Sequence, residues 1–291
     1  MHPPNYSYVL ITPARNEEAF IGQTILSVIS QTVLPRRWII VSDGSTDRTD
    51  EIVTQYLANN LWIELLRMPE HNDRHFAAKV HCFNAGYEKV KNIQYEIIGN
   101  LDADVTFDPD YFEFLLSKFK EDPSLGVAGT PYIEGEVHSF KDSYVNIDHV
   151  HGQIQMFSRQ CFEAINGYTP IKGGGIDWVA VTTARMKGWK TYSFQDKTFL
   201  HHRRMGTGGN GVLKAQFNYG KKNYFLGGHP LWQLFRSLYQ MTKKPLIIGG
   251  LLLFSGYAWG FLSRMERPVS RELLEFYQHE QMVRLKKFCI S

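Results

Sequence analysis

Apolar runs and amphipathic stretches alternate along the first 130 residues. "YVLITPA" (8–14) is a continuous apolar run, the pattern of a strand buried on both faces. Ile21, Ile25, Val28 and Ile29 follow at helical spacing. "WIIVSDG" (38–44) predicts a second strand, and "DRTDEIVTQYL" opens a helix with cap-type residues and early acids. "LWIELLR" predicts a third strand. Phe76, Val80, Phe83, Tyr87 and Val90 then recur every three or four residues, as on an amphipathic helix. "YEIIGNLDAD" predicts the fourth strand and "PDYFEFLLSKF" a helix opened by Pro109. This order implies a mostly parallel sheet with right-handed crossovers, in which ligands sit at the carboxyl ends of the strands.

Beyond residue 126 the pattern is less regular and suits a mixed second half that extends the sheet. The charge then changes sign. Lys197 to the C-terminus holds 15 Lys/Arg against 4 Asp/Glu, whereas residues 1–196 hold 17 against 25. A basic final third attached to an acidic body implies an anionic partner. Inside it lies "PLIIGGLLLFSGYAWGFLS" (245–263), free of charge and flanked by Lys243-Lys244 and by Arg264 and Arg267. A spanning helix, a segment dipping into one leaflet and a buried core helix are all compatible with this stretch. Its basic flanks and the preceding "HPLWQLFRSLYQM" suit an anionic membrane surface. "SRELLEFYQHEQMVRLKKF" at the end predicts a helix.

At 43% hydrophobic and 14% aromatic, the 291 residues can bury a substantial core. Cys82, Cys161 and Cys289 have no metal-site spacing and suit packing roles in a reducing compartment. "YVLITPA" is too short, and lacks the basic flank, to read as a signal peptide.

The strand ends carry the chemistry. "TPARNEE" ends the first strand and "SDGSTD" the second. No G-x-G-x-x-G follows strand one and no G-x-x-x-x-G-K-[ST] occurs, which argues against a dinucleotide site and a P-loop. Asp102 and Asp104, separated by Ala103, offer two carboxylates of the kind that hold Mg²⁺ or Mn²⁺ against substrate phosphates. The bland alternative is that Asp104 or Asp108 caps the following helix.

Taken in order, "PARNE", "DGSTD", Lys79 with "NAG", and "DAD" resemble the family 2 inverting glycosyltransferases of the GT-A fold, over roughly residues 6–205. The resemblance implies a single Rossmann-like α/β domain with a mostly parallel mixed sheet. It would occupy residues 1–205, with a nucleotide-binding half (1–125) and an acceptor half (126–205). Residues 206–291 would form a helical, membrane-associating region. By the same likeness Pro13, Arg15, Glu17 and Asp43 hold the nucleoside of a sugar-nucleotide donor. Arg74 and Lys79 lie near its phosphates or sugar, Asp102 touches ribose or metal, and Asp104 ligates the metal. "GQIQMFSRQCFEAINGYTP" resembles the acceptor-side segment, with Gly152 and Arg159, and "GGGIDWVA" puts Asp177 at the general base with Trp178 beside it. Ile176 stands where the family usually has a second acid. A plain helix cap is the competing role for Asp177. In "FLHHRRMGTGGNG" one of His201 and His202 would complete the metal shell, Arg203 and Arg204 would pair with the diphosphate, and the loop 206–211 could order over the donor.

The implied protein is a metal-dependent enzyme using Mn²⁺ or Mg²⁺, non-processive, on the cytoplasmic face of a membrane as a peripheral, monotopic or single-span protein. Its donor is a nucleotide-diphosphate sugar, UDP in preference to GDP, and its acceptor a lipid-linked or glycan molecule of polysaccharide or cell-envelope assembly. A sugar-nucleotide pyrophosphorylase would need a glycine-rich phosphate loop after strand one, which "PARNEEAFIG" is not. A silent membrane adaptor of the same fold is the other alternative. Nucleic acid is excluded as a partner by the apolar interruption of the basic third and the acidic rim.

Overall fold

A computed structural model describes residues 6–69, 76–134, 137–138, 147–203 and 211–290. The chain divides into two compact units, Met1–Arg203 and Arg204–Ser291.

The first unit begins with the alternation expected: β1 (Tyr8–Ala14), α1 (Ile21–Ile29), β2 (Arg37–Asp43), α2 (Thr49–Leu57), β3 (Ile63–Met68), α3 (Phe76–Val90) and β4 (Ile97–Leu101). The short strand β5 (Val105–Thr106) precedes α4 (Tyr111–Glu121) and β6 (Leu125–Gly129). The irregular second half supplies β7 (Tyr132–Glu134), β8 (Val137–His138), β9 (Ile154–Ser158), α5 (Arg159–Ala164), α6 (Ile176–Met186), β10 (Lys190–Ser193) and β11 (Phe199–His201).

Seven strands form the main sheet in the order β10-β6-β9-β4-β1-β2-β3. β1 lies centrally and parallel to β2 and β4, and Tyr8 to Ile11 are fully buried, as their unbroken apolar run requires. β9 alone runs antiparallel, between β4 and β6. That reversal decides what surrounds the acidic pair. Leu101 is in register with Ile154 and Ile97 with Ser158, so the residues leading into β9 lie beside the carboxyl end of β4. The residues leaving β9 lie at the other end. A second sheet, β5-β11-β7-β8, covers the same rim, with β11 antiparallel to β5 and parallel to β7.

The second unit is helical: α7 (Val212–Phe225), α8 (Pro230–Gln240), α9 (Ile248–Leu262) and α10 (Arg271–Ile290). The uncharged segment 245–263 thus folds as a 15-residue helix, about 22 Å long at 1.5 Å per residue. Among the described residues no helix is long and apolar enough to cross a membrane, which corrects the single-span alternative. The reason is local. Lys244–Pro245 and the left-handed Ile247 end the preceding chain, so α9 starts only at Ile248.

Candidate functional site

The loops after β1 and β2 are stitched to one another. Asn16, in a left-handed turn, receives a bond at its Oδ1 from Thr46 N (2.9 Å) and donates its own N–H to Ser45 Oγ (3.2 Å). Glu17 N donates to Thr49 Oγ1 (2.7 Å) and Glu18 N to Asp47 Oδ2 (3.0 Å). "PARNEE" and "DGSTD" therefore make one cradle, in which Arg15 pairs with Asp43 at 3.6 Å. Both side chains are mostly buried, and each offsets the cost of desolvating the other. The buried Cys82 thiol donates to Asp43, and burial followed by that carboxylate raises its pKa. Pro13, in register with Val41, fixes the last turn of β1 before the cradle.

The acidic pair lies beside it. Lys79 on α3 forms an ion pair with Asp102 Oδ1 and reaches the Gly152 carbonyl at 3.4 Å. Burial raises the Asp102 pKa, opposed by Lys79 and reinforced by the charge of Asp104. Asp104 is buried and faces His201 Nε2 at 3.4 Å, with Arg203 Nε at 3.8 Å. Burial works against ionising Asp104, but the hydrogen bond and charge of His201, then Arg203 and Lys79, hold it below the ordinary carboxylate value. His201 is the mirror case: burial opposes its charge, and Asp104 with Asp102 and Glu134 raises its pKa regardless. Arg203 also bonds Glu17 Oε2 at 2.6 Å. Glu17 is pushed up to about 7 by burial, then by Asp104, with Asp102 and Asp47 adding to the effect and Arg203 opposing it.

The helix-cap alternative for Asp104 is settled by these contacts. α4 begins at Tyr111, whose N–H bonds the Asp108 carbonyl, seven residues beyond Asp104. The two histidines point opposite ways, as strand alternation requires. His202 lies 3.0 Å from Thr106 Oγ1 through Nε2, and its ring stacks on Phe20. Arg159 is not on this rim. It leaves β9 at the end away from Asp102, donates to the carbonyls of Lys91 and Ile93, and lies over the Tyr95 ring at 4.6 Å. The antiparallel run of β9 put it there, which the sequence motif does not reveal. Arg74 and Arg204 lie outside the described residues, as does the loop from 206 to 210.

Gly152 comes to the rim because β9 starts there. Asn100, buried in β4, donates to its carbonyl at 2.7 Å, and Asp102 N donates to Gln153 O at 2.8 Å. A Cβ on Gly152 would stand 2.8 Å from Cβ of Asp177, so only glycine lets the two segments meet. Asp177 is the second residue of α6, half-buried, with Gly175 as N-cap and Trp178 next to it on the same helix. The cap is glycine, so Asp177 is not that cap. His151 stays neutral beside it: burial, then His149, lowers its pKa to about 3 against the pull of Asp177. The Tyr132 ring stands edge-on to His151 at 4.9 Å and to His201 at 6.1 Å.

Three contributors were not singled out in the sequence: Asn100, Glu134 and His151. A buried amide two residues before Asp102 was the one available signal for Asn100. Glu134 comes from β7, 67 positions from His201, whose Nδ1 lies 3.7 Å from Glu134 Oε2. Only the pairing of β7 with β11 unites them.

A divalent cation fits this donor set in part. Asp104 Oδ2 and His201 Nε2 supply one hard oxygen and one imidazole, both buried, with Asp102 adjacent. Among the described residues no group of three or more His, Cys, Asp or Glu side chains is gathered for a metal. The site suits an ion that takes its remaining ligands from substrate phosphates and water.

The mixed α/β sheet with an acidic rim is of the GT-A type. The chain belongs to glycosyl transferase family 2, whose family model matches residues 9–172. It is 31% identical over 122 residues to the poly-beta-1,6-N-acetyl-D-glucosamine synthase of Staphylococcus aureus strain COL. It is 32% identical over 124 residues to the synthase of that name from Staphylococcus epidermidis. Each match covers 42% of this chain and 27% of the relative, so the chain spans about a quarter of the curated relatives it matches. Among solved structures it resembles the mannosyltransferase PcManGT of Pyrobaculum calidifontis in complex with GDP-Man and Mn²⁺. That match has a TM-score of 0.58 and 17% identity, over 97% of this chain and 82% of that one. Staphylococcus aureus TarS 1-349 in complex with UDP-GlcNAc matches with a TM-score of 0.57 and 13% identity, over 93% and 78%. The chain is thus a member of a glycosyltransferase family, which sets the pyrophosphorylase alternative aside.

Proposed function

We propose that the protein is an inverting glycosyltransferase that moves a sugar from a nucleotide-diphosphate donor to a lipid-linked or membrane-proximal glycan acceptor. The observation that carries this is one rim that holds the Arg15–Asp43 pair, the contacts of Arg203 with Glu17 and Asp104, the Lys79–Asp102 pair, and Gly152 against Asp177. One end suits a nucleoside, the middle a diphosphate, and the far end a proton acceptor.

The roles follow from chemistry. Arg15, Asp43 and Pro13 hold the nucleoside. Lys79 and Arg203 are cations beside the acidic pair and suit the donor phosphates. A divalent cation held by Asp104 and His201 would offset charge on the departing diphosphate. Glu134, on the far nitrogen of His201, would orient that ring. Asp177 takes the proton from the acceptor hydroxyl as its oxygen bonds the anomeric carbon. The bond from that carbon to the diphosphate oxygen breaks, and the configuration inverts. Trp178 and His151 would line the acceptor side.

UDP-GlcNAc in the TarS complex and the name of the staphylococcal synthases support a UDP sugar and a polysaccharide or cell-envelope product. The GDP-Man complex keeps GDP sugars in the test. The basic second unit supports action at the cytoplasmic face of a membrane.

A thermal-shift panel of UDP, GDP, CDP and dTDP sugars, with and without Mn²⁺, tests the donor half. A UDP sugar with Mn²⁺ should give the largest shift, corresponding to about 2.7 kcal/mol at 100-fold excess over Kd. Asp104→Asn should remove the Mn²⁺-dependent part. If no nucleotide sugar shifts the melting of the wild type, the reading is wrong.

A further inference from the structure

We propose that α9 lies flat in the surface of an anionic bilayer, with one of its faces inserted at the boundary between headgroups and acyl chains. This rests on the membrane-proximal acceptor reading and names the surface and lipid chemistry that would serve it.

A helix apolar on all sides is ordinarily buried on all sides. α9 carries no charge from Ile248 to Leu262, yet only half of its circumference is covered. The covered half is glycine-lined. A Cβ on Gly256 would lie 1.9 Å from the Phe217 carbonyl oxygen of α7, and one on Gly220 1.9 Å from that of Leu253. The two backbones are therefore in direct contact, and Tyr257 is buried with its hydroxyl donating to Gly228 O at 2.8 Å.

The other half is open. Ile248, Leu251, Phe254, Trp259, Phe261 and Leu262 are between 44% and 77% exposed. At 100° per residue they fall within about half a turn of the helix circumference. Leu246 and Ile247 continue the surface towards the N-terminal end, also exposed. A contiguous apolar surface of this kind marks an interaction site.

Charge identifies the occupant. Lys243 and Lys244 precede α9 and the exposed Arg264 follows it, while Arg267 packs over the Tyr224 ring at 4.3 Å. Cations at both ends suit a helix whose two ends reach the same layer of phosphates. A transverse helix would separate them by the bilayer, and at about 22 Å α9 is short of a hydrocarbon core of about 30 Å. Residues 204–291 hold 13 Lys/Arg against 4 Asp/Glu, so a second copy brought face to face would add like charge, whereas anionic lipid compensates it. Trp259, Tyr239 and the Lys243 ammonium 5.5 Å from the Tyr239 ring supply the amphipathic groups favoured at headgroup depth.

The test is vesicle flotation of the full chain with phosphatidylcholine alone and with added phosphatidylglycerol, at about 0.15 M salt. Wild type should float with the anionic vesicles and at least tenfold less with neutral ones. Leu251→Glu/Phe254→Glu changes only exposed positions and should lower flotation at least tenfold. Its melting temperature and its donor-induced thermal shift should be unchanged, which separates failure of docking from failure of the catalytic reading. Should that variant misfold, Phe261→Ser/Leu262→Ser at the helix end replaces it. Wild type that stays with the lipid-free fraction overturns the proposal, as does a folded variant that floats like wild type. A wild-type dimer by light scattering that Leu251→Glu/Phe254→Glu dissociates would assign the face to a second copy, and so overturn it too.

Discussion

Replacing Asp177 by Asn separates a structural carboxylate from a catalytic one, because the two roles predict effects of different size on different observables. Asp177 occupies the first turn of α6, and its N-cap, Gly175, has no side chain. Structurally, its charge is worth only the interaction with the helix dipole, about 0.3–1 kcal/mol. In a unit of about 200 residues, the loss should lower the melting temperature by no more than about 4 °C. Asparagine keeps the shape that fits against Gly152, where the backbone approaches Asp177 Cβ closely. As general base the same carboxylate should contribute about 10²–10⁴ in rate, or roughly 2.7–5.4 kcal/mol of barrier. The catalytic effect therefore exceeds the structural one several-fold. Nucleoside diphosphate release in the presence of acceptor gives kcat, and calorimetry gives donor affinity. The expected result is a fall in kcat of at least 100-fold with donor affinity within twofold. A variant retaining more than a tenth of wild-type kcat would refute the assignment. So would a loss confined to donor binding, which would move Asp177 to the nucleotide side.

The pH dependence of folding follows from Glu17, raised from an ordinary 4.5 to about 7 by burial and then by Asp104. The folded state keeps a proton that the unfolded chain has released, so this group's contribution to stability falls as pH rises from about 4.5 to 7. Melting curves from pH 5 to 8 should show that decline, and Glu17→Gln should flatten it; a superimposable profile would exclude Glu17 as the titrating group. Gly256→Ala introduces a Cβ 1.9 Å from a backbone oxygen of α7 that cannot swing aside. Overpacking of about 3 kcal/mol should outweigh the roughly 1 kcal/mol gain in helix propensity, lowering the urea midpoint of the helical unit while donor-induced stabilisation persists.

Much of the first unit was legible along the chain. The run "YVLITPA" coincides with β1, and the spacing of Phe76 to Val90 with α3. Period and apolar continuity are local properties, and the burial they demand is met in a parallel sheet whatever lies beyond it. The same locality put "PARNEE", "DGSTD" and "DAD" at strand ends. It also showed an uncharged stretch between basic flanks.

The tertiary structure decided what those ends face. Which histidine meets Asp104 depends on the alternation of one short strand, and Glu134 reaches His201 only through pairing of β7 with β11. Arg159 and Gly152 share one motif, yet the antiparallel insertion of β9 sends them to opposite ends of the sheet. The uncharged segment is the sharpest case. Its composition suits a core helix and a membrane helix alike, since both environments exclude charge. Only its packing on α7 through glycines showed that one half is covered and the other left apolar and exposed, because burial belongs to a surface that neighbours create and no residue carries alone.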